Sequence, residues 1–413
     1  MEPIRGPAEM TRAPRPAAAI VVLVLITMSG CISAPVRSPS VASSTSPSQA
    51  PAPSTIPTGT APASSPVVTP SPSQTVATLA SGATLPACKP GKPKATATVT
   101  FVAGGHAWAM SPGGGDLTCL FATDDPGPFT WGPLGDRVLL GGLEVKGVAG
   151  GPSLAASNQS YDVVTWSRPT GKSIVLAPSA ETRLRKAHLD GTRTQDVTPI
   201  PSSAYLSVAY HPSGEAFAFA VEREGAQSIW MSSNTGKSPG RLVFSQLWTR
   251  FGAIGFEVDG KHLLYGAQHA DGHAELHRID VTDTTKAPVL WEGPAGRTIL
   301  DLQPGFATGT FAWTVGTTSC GDSVAMAQTS NGTLRALPDV TGPTRAVGWL
   351  SSTQLLVSAG GCGGPLDLSA VDVVTGSIAP LVSGVSVAAV RTPVPTPPAP
   401  LPKAAATEGS GFG

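Results

Sequence analysis

Along the middle of the chain, apolar and polar positions alternate in short runs, and turn-forming residues separate the runs. Residues 129–140 (FTWGPLGDRVLL) show the unit most clearly: a short run ending in an aromatic, a Pro-x-Gly turn, then a second run. Alternation at period two predicts strands with one packed face. Proline presets the first turn position, and glycine accepts the positive φ at the next corner. Variants return at 163–176 (VVTWSRPTGKSIVL), 206–219 (LSVAYHPSGEAFAF) and 254–265 (IGFEVDGKHLLY), with a weaker echo at 346–357 (AVGWLSSTQLLV). The turn glycines Gly135, Gly171, Gly214 and Gly260 lie 36, 43 and 46 residues apart. Repeats of this length, each holding about four short strands, predict a propeller. Trp131, Trp166, Tyr210, Phe256 and Trp349 stand just before the turns, where a flat ring can pack between neighbouring sheets.

A second element follows each hairpin: a strand, a glycine-bearing turn and a short last strand. It is seen at 107–120, 184–197 (LRKAHLDGTRTQDV), 229–243 (IWMSSNTGKSPGRLV), 324–337 and 368–381. Together the two elements resemble the TolB-like, WD-repeat-like propeller family, whose unit reads roughly W-S-P-D-G, then I-Y-hydrophobic-D-x-x-G, then L-T. The resemblance covers about residues 96–391. The chain departs from it where Leu134, Thr170 and Ser213 replace the turn aspartate, and Asp259 keeps the aspartate without the proline. The resemblance implies an all-β fold and says little about function, because the family hosts many roles. Complete units begin near 127, 161, 204, 250, 296 and 344. Residues 96–121 hold three strands without an inner one, and 385–390 hold one strand without partners. Joined, they would complete a seventh blade and remove the exposed edges. Seven blades are therefore expected, with six or eight as alternatives.

Both ends change the picture. Residues 1–30 read as a signal peptide: Arg5, Arg12 and Arg15, then the apolar run 17–28, then Met-Ser-Gly-Cys31. That ending resembles a bacterial lipobox, with Met28 where the consensus has leucine. It implies a lipid on the Cys31 sulfur and an extracytoplasmic protein anchored to the bacterial cell membrane. Residues 31–86 are Ser, Thr, Pro and Ala with almost no charge, and predict a disordered tether. The proline-rich tail 392–413 has the same character, which leaves 87–391 for the propeller. Lysine plus arginine and aspartate plus glutamate number 27 each, so no electrostatic footprint points to nucleic acid.

With Cys31 lipidated, Cys88, Cys119, Cys320 and Cys362 remain. Cys320 and Cys362 fall in equivalent turns of adjacent blades. Cys88 precedes the closing blade, whose outermost strand holds Cys119. Two disulfides, Cys88–Cys119 and Cys320–Cys362, are expected in an oxidising compartment.

Candidate chemistry is sparse. No G-x-S-x-G, H-E-x-x-H, P-loop or dinucleotide fingerprint occurs. His269, His273 and His277 are spaced by four (QHADGHAELH), but Asp271-Gly272 makes the segment a hairpin rather than a helix. His269, Asp271 and His273 at this turn mark a possible ligand face, beside the Cys320 and Cys362 turns at the channel mouth. Solvated turn histidines are the plainer reading, and no metal, cofactor or catalytic residue is assigned. Trp230, Trp248 and Trp291 could form a sugar or peptide platform or simply pack between blades. The expected function is a monomeric, non-enzymatic binding or scaffolding module for an envelope protein or glycan. The alternative is a secreted propeller hydrolase or lyase acting on a polysaccharide or peptide. A role in envelope assembly like that of periplasmic TolB rests on fold analogy alone.

Overall fold

The computed structural model describes residues 76–391, apart from 124–126, 128, 142–143, 149–153, 156–160, 179–181, 190–193, 202, 237–239, 246–248, 318–321, 338–341 and 362–363. The expected signal peptide, Cys31 and the tail 392–413 lie outside the described residues, as do Trp248, Cys320 and Cys362.

Seven antiparallel sheets form a ring, and each has four strands in meander order from the centre outward. Blade 1 begins with Phe129–Trp131, blade 2 with Tyr161–Trp166, blade 3 with Ala204–Tyr210 and blade 4 with Arg250–Phe256. Blade 5 begins with Thr298–Pro304 and blade 6 with Thr344–Trp349. Blade 7 closes the ring from both ends of the domain. Its innermost strand is the C-terminal Val387–Val390, paired with Val99–Ala103, then His106–Met110 and Thr118–Ala122. The seventh blade expected from the two incomplete ends is thus present, and no helix occurs among the described residues.

The hydrophobic core is divided among the gaps between sheets. Seven apolar clusters fill the seven interfaces, and each draws residues from two neighbouring blades. Ile229, Leu263 and Tyr265, for example, meet between blades 3 and 4 without exposure. Burying such side chains stabilises by roughly 1.5–3 kcal/mol each. No blade can bury its faces alone, so closure is a condition of folding.

The aromatic residue before each turn serves these interfaces. Trp131, Trp166, Tyr210, Phe256 and Trp349 are all buried. The three indoles each donate to the preceding blade: Trp131 Nε1 to Thr100 Oγ1 (2.8 Å), Trp166 Nε1 to Thr130 Oγ1 (3.2 Å) and Trp349 Nε1 to the Gln303 carbonyl (2.9 Å). The turn glycines serve them too. All four have positive φ, and their missing Cβ leaves room for a neighbour. A Cβ on Gly171 would lie 2.6 Å from Pro133, and one on Gly260 would lie 2.4 Å from His211.

One boundary differs from the sequence reading. The tether was expected to reach residue 86, but residues 76–86 belong to the fold. Thr78–Leu79 adds a fifth, outer strand to blade 6 by pairing with Ser383 and Val382, and Ala77 is buried beneath it. Among residues 76–79 only Ala77 and Leu79 pack on this edge, a signal too short to separate from the low-complexity stretch before it. Downstream, Cys88 and Cys119 form a disulfide that ties the entering segment to the outermost strand of blade 7.

Candidate ligand site in the central channel

The innermost strands of all seven blades surround a channel of about 570 Å³. Each inner strand turns its free edge to the axis, so consecutive residues such as Val208, Ala209 and Tyr210 line the channel. The wall is mainly apolar and aromatic, including Phe129, Trp131, Phe256, Phe306 and Val390. Three charged side chains interrupt it: Arg168, Asp301 and Arg345.

Asp301 and Arg345 face each other from blades 5 and 6, with Arg345 Nη2 3.4 Å from Asp301 Oδ2. The Asp301 side chain is 38% exposed, toward the channel rather than the outer surface. Protein surrounds it on the other sides, and burial raises its pKa above the usual carboxylate value. The Arg345 charge and a hydrogen bond from Thr314 oppose that rise. Arg168 stands where the inner strand of blade 2 meets its turn. Burial lowers its pKa, and no carboxylate faces it among the described residues. A guanidinium offers five donors in a fixed fork and suits a carboxylate or another planar anion. The channel therefore combines an apolar wall, one internally neutralised ion pair and one uncompensated cation. Pockets of this size and character accept small apolar ligands with a few polar anchors.

None of these three residues was singled out from the sequence. A usable signal existed, since Asp301 and Arg345 place charge within inner strands that otherwise read as apolar.

The expected ligand face lies elsewhere. His269, Asp271 and His273 sit at the hairpin between the second and third strands of blade 4, and none of them lines the channel. His269 and Gly272 instead border a separate polar cleft, shared with Glu222 and Gln227 of blade 3. The hairpin does not bring His269 and His273 onto one acceptor. His273 Nδ1 lies 3.0 Å from Asp271 Oδ2 at the exposed tip, and His269 Nε2 lies 2.8 Å from Glu275 Oε2. The Asp271 side chain raises the His273 pKa, and the His273 backbone and ring lower that of Asp271. Trp230 and Trp291 are half-buried and pack within the ring, Trp291 edge-on against Trp313 at 5.9 Å.

No family model and no curated protein sequence matches the chain. Solved structures with a similar fold include TolB from Acinetobacter baumannii, at 16% identity and a TM-score of 0.39, matched over 61% of this chain and 67% of that one. They also include a prolyl endopeptidase at 13% identity and TM-score 0.41. There the match covers 70% of this chain and only half of the endopeptidase. The Cps50 (Swd1) β-propeller domain of Myceliophteria thermophila matches at 11% identity and TM-score 0.44, over 70% of this chain and 96% of that domain. The likeness is one of propeller fold and reaches no further.

Proposed function

We propose that this chain is a non-enzymatic binding module, displayed on the extracytoplasmic face of a bacterial membrane by lipid on Cys31. Its channel receives an apolar segment of an envelope protein that carries a carboxylate. The observation that carries this reading is Arg168, a cation without a carboxylate partner among the described residues, in a mainly apolar wall. Asp301 is the one carboxylate among the described lining residues and is already engaged by Arg345, which supports recognition over acid–base chemistry. A hydrolase or lyase reading draws instead on the His269–Glu275–His277 cluster outside the channel.

The test is a titration of the intrinsic fluorescence of Trp131 and Trp349, which line the channel. The probes are N-acetyl-Leu-Phe with a free carboxylate and the same dipeptide as its amide. A charge-assisted hydrogen bond contributes about 1.5–3 kcal/mol, so the acid should bind about tenfold or more tighter. Arg168→Met should erase that preference. Equal affinity for acid and amide would remove the basis of the reading. For the anchor, Cys31→Ser should move the protein from the membrane to the soluble fraction, and an unchanged distribution would count against lipidation.

A further inference from the structure

We propose that His269, Glu275 and His277 bind a divalent transition-metal ion of the zinc class, at a site separate from the channel. The ligating atoms of all three lie within 4.8 Å of one another. Blade 4 builds the cluster from a simple register. Ala274–Asp280 pairs with His262–Gln268, which sets His277 opposite Tyr265 and Glu275 opposite Ala267. Glu275 and His277 are two residues apart on one strand and so share a face. His269 follows the partner strand and turns back onto the same carboxylate oxygen.

His277 Nδ1 lies 3.1 Å from the Ala287 carbonyl oxygen, which can only accept, so Nδ1 carries a proton. His277 Nε2 lies 2.6 Å from Glu275 Oε2, also an acceptor when ionised. A neutral imidazole has one N–H and cannot serve both contacts. With Nδ1 donating to the carbonyl, Nε2 presents its lone pair beside the Glu275 carboxylate, as a metal ligand must. His277 is 8% exposed in its side chain and stacked on Tyr265 at 4.9 Å and 2°, with Phe244 beside it, so the ring is held in one orientation. A ring nitrogen held by a backbone carbonyl while the other faces a carboxylate is how metal-binding histidines are oriented. The same oxygen, Oε2, also takes His269 Nε2 at 2.8 Å, so two nitrogens converge on one carboxylate. In addition, Tyr265 is fully buried and its hydroxyl has no hydrogen-bond partner among the described residues.

Two imidazole nitrogens and one carboxylate make a borderline-soft donor set that suits zinc better than calcium or magnesium. Modest rotation of the His269 and Glu275 side chains, which are 25% and 17% exposed, would widen the cluster to zinc–ligand distances of about 2.0–2.2 Å. Three protein ligands leave a coordination position open. It would face the cleft bordered by Glu222, Gln227, Thr249 and Arg250, where the Thr249 hydroxyl is buried without a partner among the described residues.

A second cluster, Glu257, Asp259 and His262, has the same residue types but is already filled. Arg278 Nη2 lies 2.9 Å from Glu257 Oε2 and 3.0 Å from His262 Nδ1, so a resident cation takes the place a metal would occupy.

The test is isothermal titration of the tag-free, full-length, metal-stripped chain with zinc chloride, checked by cobalt absorption and by melting temperature with and without zinc. The expected result is one saturable equivalent, tetrahedral cobalt bands and a higher melting temperature with zinc. His269→Ala, at the rim of the cleft, and Glu275→Gln should each weaken zinc binding at least tenfold, with circular dichroism reporting that the ring is intact. His273→Ala, which alters the exposed His273–Asp271 pair, should leave binding unchanged. Absence of saturable binding would overturn the proposal. So would binding that His273→Ala weakens as much as His269→Ala does.

Discussion

Gly214 and Gly225 make a controlled pair. Both have φ of +79°, so alanine at either position meets the same left-handed strain of about 1–2 kcal/mol. Their surroundings differ. A Cβ on Gly225, at the tip of the hairpin between the second and third strands of blade 3, would have nothing within 4 Å. A Cβ on Gly214 would lie 1.9 Å from the Arg168 carbonyl oxygen and 2.8 Å from Pro169, both in blade 2. Those atoms are backbone and a proline ring, and neither can swing aside as a flexible side chain can. Overpacking of a fixed neighbour adds roughly 1–3 kcal/mol, so Gly214→Ala should cost about 2–5 kcal/mol in total against about 1–2 for Gly225→Ala. The assay is urea unfolding followed by near-ultraviolet circular dichroism, with the m-value checked for constancy so that midpoints compare directly. Gly214→Ala should move the midpoint by at least twice the shift of Gly225→Ala. Equal shifts would mean that the turn glycine is needed for its dihedral alone, and that the blade contact is not what the repeat maintains.

Three further outcomes follow from the interfaces and the channel. Glu257 is fully buried, with Arg278 Nε 2.8 Å from Oε1 and the Gly309 N–H of blade 5 donating to Oε2 at 3.1 Å. Arg278→Met strands that buried carboxylate and should cost about 3–5 kcal/mol; Glu257→Gln leaves a guanidinium that is 28% exposed and should cost clearly less, as read from urea midpoints. Ending the chain after Ser386 removes Val387–Val390, uncovers the Val99–Ala103 edge and should convert one cooperative melt into a broad, aggregation-prone transition; an unchanged melt would show that strand closure is dispensable. Asp301 has a raised folded-state pKa, so its contribution to stability is fully present below the unfolded value and is lost as pH rises through the folded value. Asp301→Asn should accordingly melt higher than the parent at pH 7 and lose that advantage as pH falls toward about 4.

The fold was legible because its signals are local and repeated. Each Pro-x-Gly turn states a hairpin, and the interval between turns states a blade. Even closure could be read from a lone strand at 385–390, observed as Val387–Val390, and three strands in search of a partner. The added strand Thr78–Leu79 was not legible, since two residues carry no periodicity. The channel charges escaped for a different reason. Arg168 and Arg345 are more than 170 residues apart in sequence, and only the ring brings inner strands around one axis. The histidine spacing attracted notice through His269 and His273, yet register joins His269 to Glu275 and His277 instead. A hairpin places residues by cross-strand partner, which a count along the sequence does not show.

Where the repeat is obeyed, the residues serve the interfaces, and where it is broken, they call for another explanation. Alternation asks for apolar or small side chains on inner strands; Asp301 and Arg345 depart from that, and Arg168 stands at the turn beside one, at a cost in desolvation. Glu275 and His277 likewise place a carboxylate and an imidazole on a strand whose neighbour Leu276 is wholly buried. Local rules broken without a structural gain are the marks expected of sites kept for binding. The two groups of departures lie in different parts of the ring, one on its axis and one between blades 3 and 4. A channel variant such as Arg168→Met should therefore leave zinc binding intact, and His269→Ala should leave the acid-over-amide preference intact. If either substitution disturbed both readouts, the two sites would be one coupled device and the separation argued from their positions would fall.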